Sequence, residues 1–160
     1  MTRLQKDQKF IRYYKEVAGV TDVDMKEVAK LAVKMGWKMP APKDPLDLLA
    51  KEFADAARQE VRTDKKTGNR YRAYHSLFDA HDGEQTARWI DIDDKPPRIK
   101  MLKSLVKRRE QMIGDGLQLT YDAEHWNSIS ANEEPIQMLM DFTEDIQWRM
   151  NAPKHEEVAS

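Results

Sequence analysis

The chain has 160 residues, 40% of them hydrophobic and 34% charged, with four tryptophans and no cysteine. That length suits one domain, or a small domain with an extension. The missing thiols exclude disulfides, thiolate catalysis and cysteine-based zinc sites. No apolar run approaches the about 18 residues that a membrane span needs. The opening MTRLQKDQKF lacks the apolar core of a secretory leader. A cytoplasmic protein with no membrane contact is expected. The formal net charge of −1 conceals a polarity: residues 1–114 hold 25 basic and 18 acidic side chains, and residues 115–160 hold 2 and 10. Such asymmetry permits a polyanion partner, an acidic half folded onto a basic half, a head-to-tail dimer, or two solvated surfaces.

The first helix is predicted over Leu4–Ala18, where Phe10, Tyr13, Tyr14 and Val17 recur at helical spacing and Gly19 stops the run. A second follows an Asp22 or Asp24 cap, with Val28, Leu31, Ala32 and Met35 on one face and Gly36 closing it. Trp37 is expected to fold back onto the core. Pro40, Pro42 and Pro45 forbid a regular element before Asp44. Asp44 then reads as an N-cap with Pro45 at the first helical position. Leu48, Leu49, Phe53 and Ala56 or Ala57 are the expected buried face of this third helix.

Strands come next. Glu60–Thr63, a turn at Lys66-Thr67-Gly68-Asn69, a return strand Arg70–Leu77 and a third strand Thr86–Asp93 predict a small three-stranded antiparallel sheet. Gly68 or Asn69 can take positive φ in the turn. Lys95-Pro96-Pro97 breaks the chain. From Arg98 to Trp126 apolar residues nearly keep a helical period, with Gly114 and Gly116 marking a kink or a close helix contact. A final helix is predicted after Asn132, with Pro135 in its first turn and Ile136, Leu139, Met140, Thr143, Ile146 and Met150 inward. The tail from residue 151 is expected to be flexible.

Three helices, then a small antiparallel sheet with a tight turn, resemble the winged helix-turn-helix architecture, over about residues 1–93. The expected fold class is mainly α with a small antiparallel β-sheet (α+β): a winged-helix-like domain at 1–95 and a C-terminal helical hairpin at 96–150. The resemblance implies a wing that touches DNA, and the hairpin would carry dimerisation.

The stretch DKKTGNRYRAYHS supplies that wing. Arg58, Arg62, Lys65, Lys66, Arg70 and Arg72 crowd the turn and its flanks. Strand alternation puts Arg70, Arg72 and Tyr74 on one face and Tyr71, Ala73 and His75 on the other. Guanidinium and ammonium groups there would pair with phosphates, and Tyr74 could stack. The alternative is a solvated hairpin whose charges block edge association. A second block, RIKMLKSLVKRR, aligns Lys100, Lys103 and Lys107 on one helical stripe. It could grip phosphates, or pair with Asp141, Glu144 and Asp145 of the last helix. The third helix holds Asp47, Glu52 and Asp55 against Lys51, so a base-reading row is not expected there.

Catalytic signatures are lacking. His75 and His81 near Asp79, Asp82 and Glu84 match no ligand spacing. His125 near Asp122 and Glu124 lacks the paired Glu-x-x-His pattern of carboxylate bundles. Asp91, Asp93 and Asp94 could bind Mg2+ but lack a second acidic cluster. No catalytic residue, metal or cofactor is therefore expected. The leading expectation is a non-catalytic DNA-binding or DNA-associated regulatory protein on double-stranded DNA. A protein-interaction adaptor using the helical hairpin or the acidic third helix, with no nucleic acid, is the alternative. An acidic nucleic-acid mimic is a third reading that the basic half disfavours.

Overall fold

The computed structural model describes residues 1–81 and 84–153, with the side chains of 79–86 left aside. Among the described residues no helix is long and apolar enough to cross a membrane. The chain divides into two compact units, Met1–Glu52 and Phe53–Ser160.

In the first unit, α1 runs Arg3–Ala18 and α2 runs Met25–Lys34. Helix α1 starts at a capping box: the Gln5 amide donates to Thr2 Oγ1 (3.2 Å) and the Thr2 amide donates to Gln5 Oε1 (2.9 Å). Gly19, at φ 63°, ends it in the left-handed conformation that glycine adopts without a Cβ penalty. Of the two cap candidates for α2, Asp24 is the one used, accepting from the Lys26 amide at 2.8 Å. Phe10, Val28 and Ala32 form the core, packed by Ile11, Tyr14, Val23 and Leu31. The Trp37 ring lies 4.8 Å from that of Phe10, so the chain does fold back after Gly36.

Helix α3 spans Pro45–Gln59. Asp44 caps it, taking the Leu46 amide at 2.9 Å. None of its residues is buried. Leu48, Leu49 and Phe53, expected as an inner face, are exposed, Phe53 at 68%. The helical period is present, but among the described residues that face is left open.

Among its described residues the second unit holds two separate two-stranded sheets, not one sheet of three strands. Strand β1 (Val61–Thr63) pairs antiparallel with β2 (Arg70–Arg72), and β3 (Tyr74–His81) with β4 (Glu84–Asp91). The ribbon expected as one return strand changes partner at Ala73, which is fully buried. Its amide donates to the Glu60 carbonyl (3.1 Å), and its own carbonyl accepts from Ile92 (2.9 Å). Residues before it pair with β1 and residues after it with β4, so no strand is shared. After β4 the chain turns through a 3-10 segment, Ile92–Asp94, capped by Asp91, where the sequence suggested a continuing strand. Helix α2, a turn, α3 and then the hairpins give the helix-turn-helix-like arrangement and element order of a winged helix. The fold is α+β, mostly helical.

Helix α4 covers Arg98–Ile129, unbroken through Gly114 and Gly116. It packs on β3, where buried Ser104 donates to the Ser76 carbonyl at 2.9 Å. Beyond it the chain returns along α4 without helical hydrogen bonding. The Asn127 amide group donates to the Ile136 carbonyl (2.9 Å) and its Oδ1 accepts the Ile136 amide (2.8 Å). Helix α5 begins only at Thr143 and ends at Asn151. Ile136, Leu139 and Met140 thus lie outside the helix expected to carry them, because Asn127 has taken the backbone groups of Ile136 that a helix would use. Gly116 marks a close approach: a Cβ there would stand 3.4 Å from Met140 Sδ.

Candidate nucleic-acid interface

The first hairpin is built around its turn. Asp64 accepts the Lys66 amide at 2.7 Å through its side chain, and its carbonyl takes the Gly68 amide at 2.8 Å. Gly68 adopts φ 69°, the conformation that lets the chain return. Lys65, Lys66, Arg70 and Arg72 are all exposed on this hairpin. Among the described residues none of the four has an ion-pair partner.

Arg62 is different. Its Nη1 donates to Asp91 Oδ1 (2.8 Å) and Asp93 Oδ2 (2.7 Å). Nη2 reaches Asp91 Oδ2 (3.0 Å) and Glu60 Oε1 (2.8 Å). Tyr71 donates its hydroxyl to the same Asp93 (3.0 Å to Oδ2). Arg62 also sits 5.6 Å from the Tyr74 ring centroid. The bonds to Asp91, then Asp93 and Glu60, push the guanidinium pKa further up. Arg62, and next the Asp93 amide, hold the Asp91 carboxyl below its usual range. Hydrogen bonding to Asp93 raises Tyr71, which keeps its proton to donate. The acids weighed as a Mg2+ cluster are thus partly engaged: Asp91 and Asp93 hold Arg62, which ties the first hairpin to the end of the second. With its guanidinium occupied, Arg62 positions the wing.

The other expected residues fall in two places. Arg58 pairs with Asp55 (2.6 Å) and lies 5.3 Å from the Trp89 ring centroid. Lys107 Nζ stands 3.4 Å from the Phe78 ring centroid. Lys100 and Lys103 are exposed on α4. The expected pairing of this stripe with Asp141, Glu144 and Asp145 does not occur among the described residues; Asp141 instead accepts the Thr143 amide (3.0 Å) at the start of α5, and hydrogen bonding by the Thr143 side chain, then by that amide, lowers its pKa. Arg58, Arg72, Tyr74 and Lys107 line one cleft with Arg108 and Trp89, whereas Lys65, Lys66 and Arg70 do not. Trp89 and Arg108 had no place among the expected contacts. Their signal was available: an aromatic on the strand facing a basic helix.

No group of His, Asp and Glu among the described residues could hold a metal ion. The His75–His81 cluster lies partly outside the described residues. Buried His75 donates from Nε2 to the Arg72 carbonyl at 3.0 Å; a carbonyl only accepts, so Nε2 carries the proton. Compared with protein-family models, curated proteins and solved structures, the chain matches none.

Proposed function

We propose that the chain is a non-catalytic, cytoplasmic, DNA-associated regulatory protein that lays the β1–β2 hairpin on the phosphate backbone. Residues 1–95 form its winged-helix-like part, and residues 96–150 carry self-association. The observation supporting it most is the exposed set Lys65, Lys66, Arg70 and Arg72, without ion-pair partners among the described residues, on a hairpin held by Arg62. Phosphate neutralisation gives affinity without sequence preference, which agrees with the acidic α3.

The test is anisotropy with labelled random duplex from about 50 to about 300 mM salt. Four phosphate contacts give a slope of roughly −3 to −4 in log affinity against log salt. Replacing Lys65, Lys66 and Arg70 together by alanine should flatten that slope by about three. Salt-independent binding, or none at low salt, would remove DNA as the partner. The exposed Leu48, Leu49 and Phe53 of α3 support the second reading, a protein-interaction adaptor. One stoichiometric partner, lost with Phe53→Glu, in the absence of DNA binding would select it.

A further inference from the structure

Where α4 packs on β3, an open cleft of about 550 Å3 forms. Sites for small organic ligands run from about 300 to about 1,000 Å3. Arg58, Arg72, Lys107 and Arg108 line it, and Asp115 is the one carboxylate among the described lining residues. Arg72 and Arg108 have no ion-pair partner among the described residues. The cleft is therefore short of negative charge.

Its other walls are aromatic. Tyr74, Phe78 and Trp89 open onto the same space. An inorganic anion would need only the cations. A planar heterocycle needs the rings as well, because stacking on an aromatic face contributes affinity whatever the base. Two of the cations are already held beside rings, Arg58 at Trp89 and Lys107 at Phe78. Less side-chain freedom is then lost on binding. The His75 bond to the Arg72 carbonyl and the Ser104 bond to Ser76 fix the backbone behind them.

We infer that this cleft binds a nucleoside phosphate, its phosphate on Arg72 and Arg108 and its base against Trp89. The site does not require the hairpin to lie on a duplex. The ligand is either a free nucleotide or one nucleotide of a single strand, since both present an anion beside a base.

Intrinsic tryptophan fluorescence tests this on the full chain, titrated with magnesium-free ATP, with AMP, with a ten-nucleotide oligothymidylate and with inorganic pyrophosphate. Quenching by a nucleotide or by the oligonucleotide is expected, and it should vanish in Trp89→Phe, which keeps a stacking ring. Arg108→Ala, an exposed position, should weaken binding about tenfold through loss of a charge-assisted hydrogen bond. Mononucleotides that compete with the oligonucleotide identify a free nucleotide, and oligonucleotide alone identifies a strand; either supports the assignment. Alanine at Lys65, Lys66 and Arg70, the wing cations outside the cleft, should leave the quench intact, which separates this site from the turn of the wing; Arg72 is common to both. Pyrophosphate binding as tightly as ATP, quenching that survives Trp89→Phe, unchanged affinity in Arg108→Ala, or no binding by any nucleotide would overturn it.

Discussion

Arg62 and Lys66 stand four residues apart in one basic run, yet they do different work. Arg62 is 31% exposed and bonded to three carboxylates, while Lys66 stands in solvent at the turn. Sequence showed the run and its neighbours Glu60 and Asp64. It could not show that Asp91 and Asp93, some thirty residues on, close over one of its members, because that requires the partner change at Ala73. The pair has a pH signature. Asp91 titrates lower in the folded chain than its unfolded value of about 3.9, so the unfolded chain takes up protons first on acidification. Its contribution is complete above that unfolded value and fades as pH falls through the folded one. Asp91→Asn keeps an acceptor for the Asp93 amide but loses the charge. Its stability deficit against the parent should be largest near pH 7 and shrink below about pH 4. Urea midpoints at pH 7 and pH 3 measure this, and an equal deficit at both would mean that the charge contributes nothing.

Elements with local signals were legible, and elements that depend on distant partners were not. Gly19, Asp24 and Asp44 marked helix ends because a cap is settled within a few residues. The last helix was placed too early because 133–142 has acidic residues and apolar spacing that suit a helix. The Asn127 clamp, set by α4, holds the backbone of Ile136 out of a helix. The α3 face shows the converse: a helical apolar period predicts a helix without saying what covers it. The glycines of α4 suggest a kink or a close helix contact; the helix runs unbroken, and Gly116 touches Met140 of the irregular return segment instead of a helix. At Gly114 an added Cβ meets nothing within 4 Å, whereas at Gly116 it meets Met140 Sδ. Gly114→Ala should therefore stabilise by about 0.5–1 kcal/mol, since alanine restricts the unfolded chain and favours the helix. At Gly116 the new Cβ would stand 3.4 Å from Met140 Sδ, an ordinary van der Waals contact, so Gly116→Ala should gain at least as much. Chemical denaturation of both variants decides it; a net loss at Gly116 would place Met140 closer than this.

At the scale of the molecule, part of the charge polarity visible in the sequence falls along a single helix. The first half of α4, residues 98–113, carries six basic side chains and one acidic; the second half, residues 114–129, carries three acidic and no lysine or arginine. The acids of α5 do not neutralise the basic half among the described residues. Leu102, Leu105, Val106, Met112, Ile113 and Leu117 stay at least 42% exposed along the same helix. A helix of about 48 Å with apolar surface and opposite charges at its two ends matches a second copy of itself running antiparallel. There each basic half meets an acidic half, whereas a parallel pair sets like charges together. The C-terminal self-association proposed above should take that form. Sedimentation equilibrium at 10–100 μM (about the range over which modest dimers dissociate) should give a dimer that weakens but persists as salt rises, since screening removes only the ionic part. Lys100→Glu with Lys103→Glu should raise the dimer dissociation constant about tenfold, by setting acid against acid across the pair. The same substitutions would strengthen a parallel dimer, where repulsion between the two basic ends would be relieved. A monomer at every concentration would leave the apolar surface of α4 to another protein.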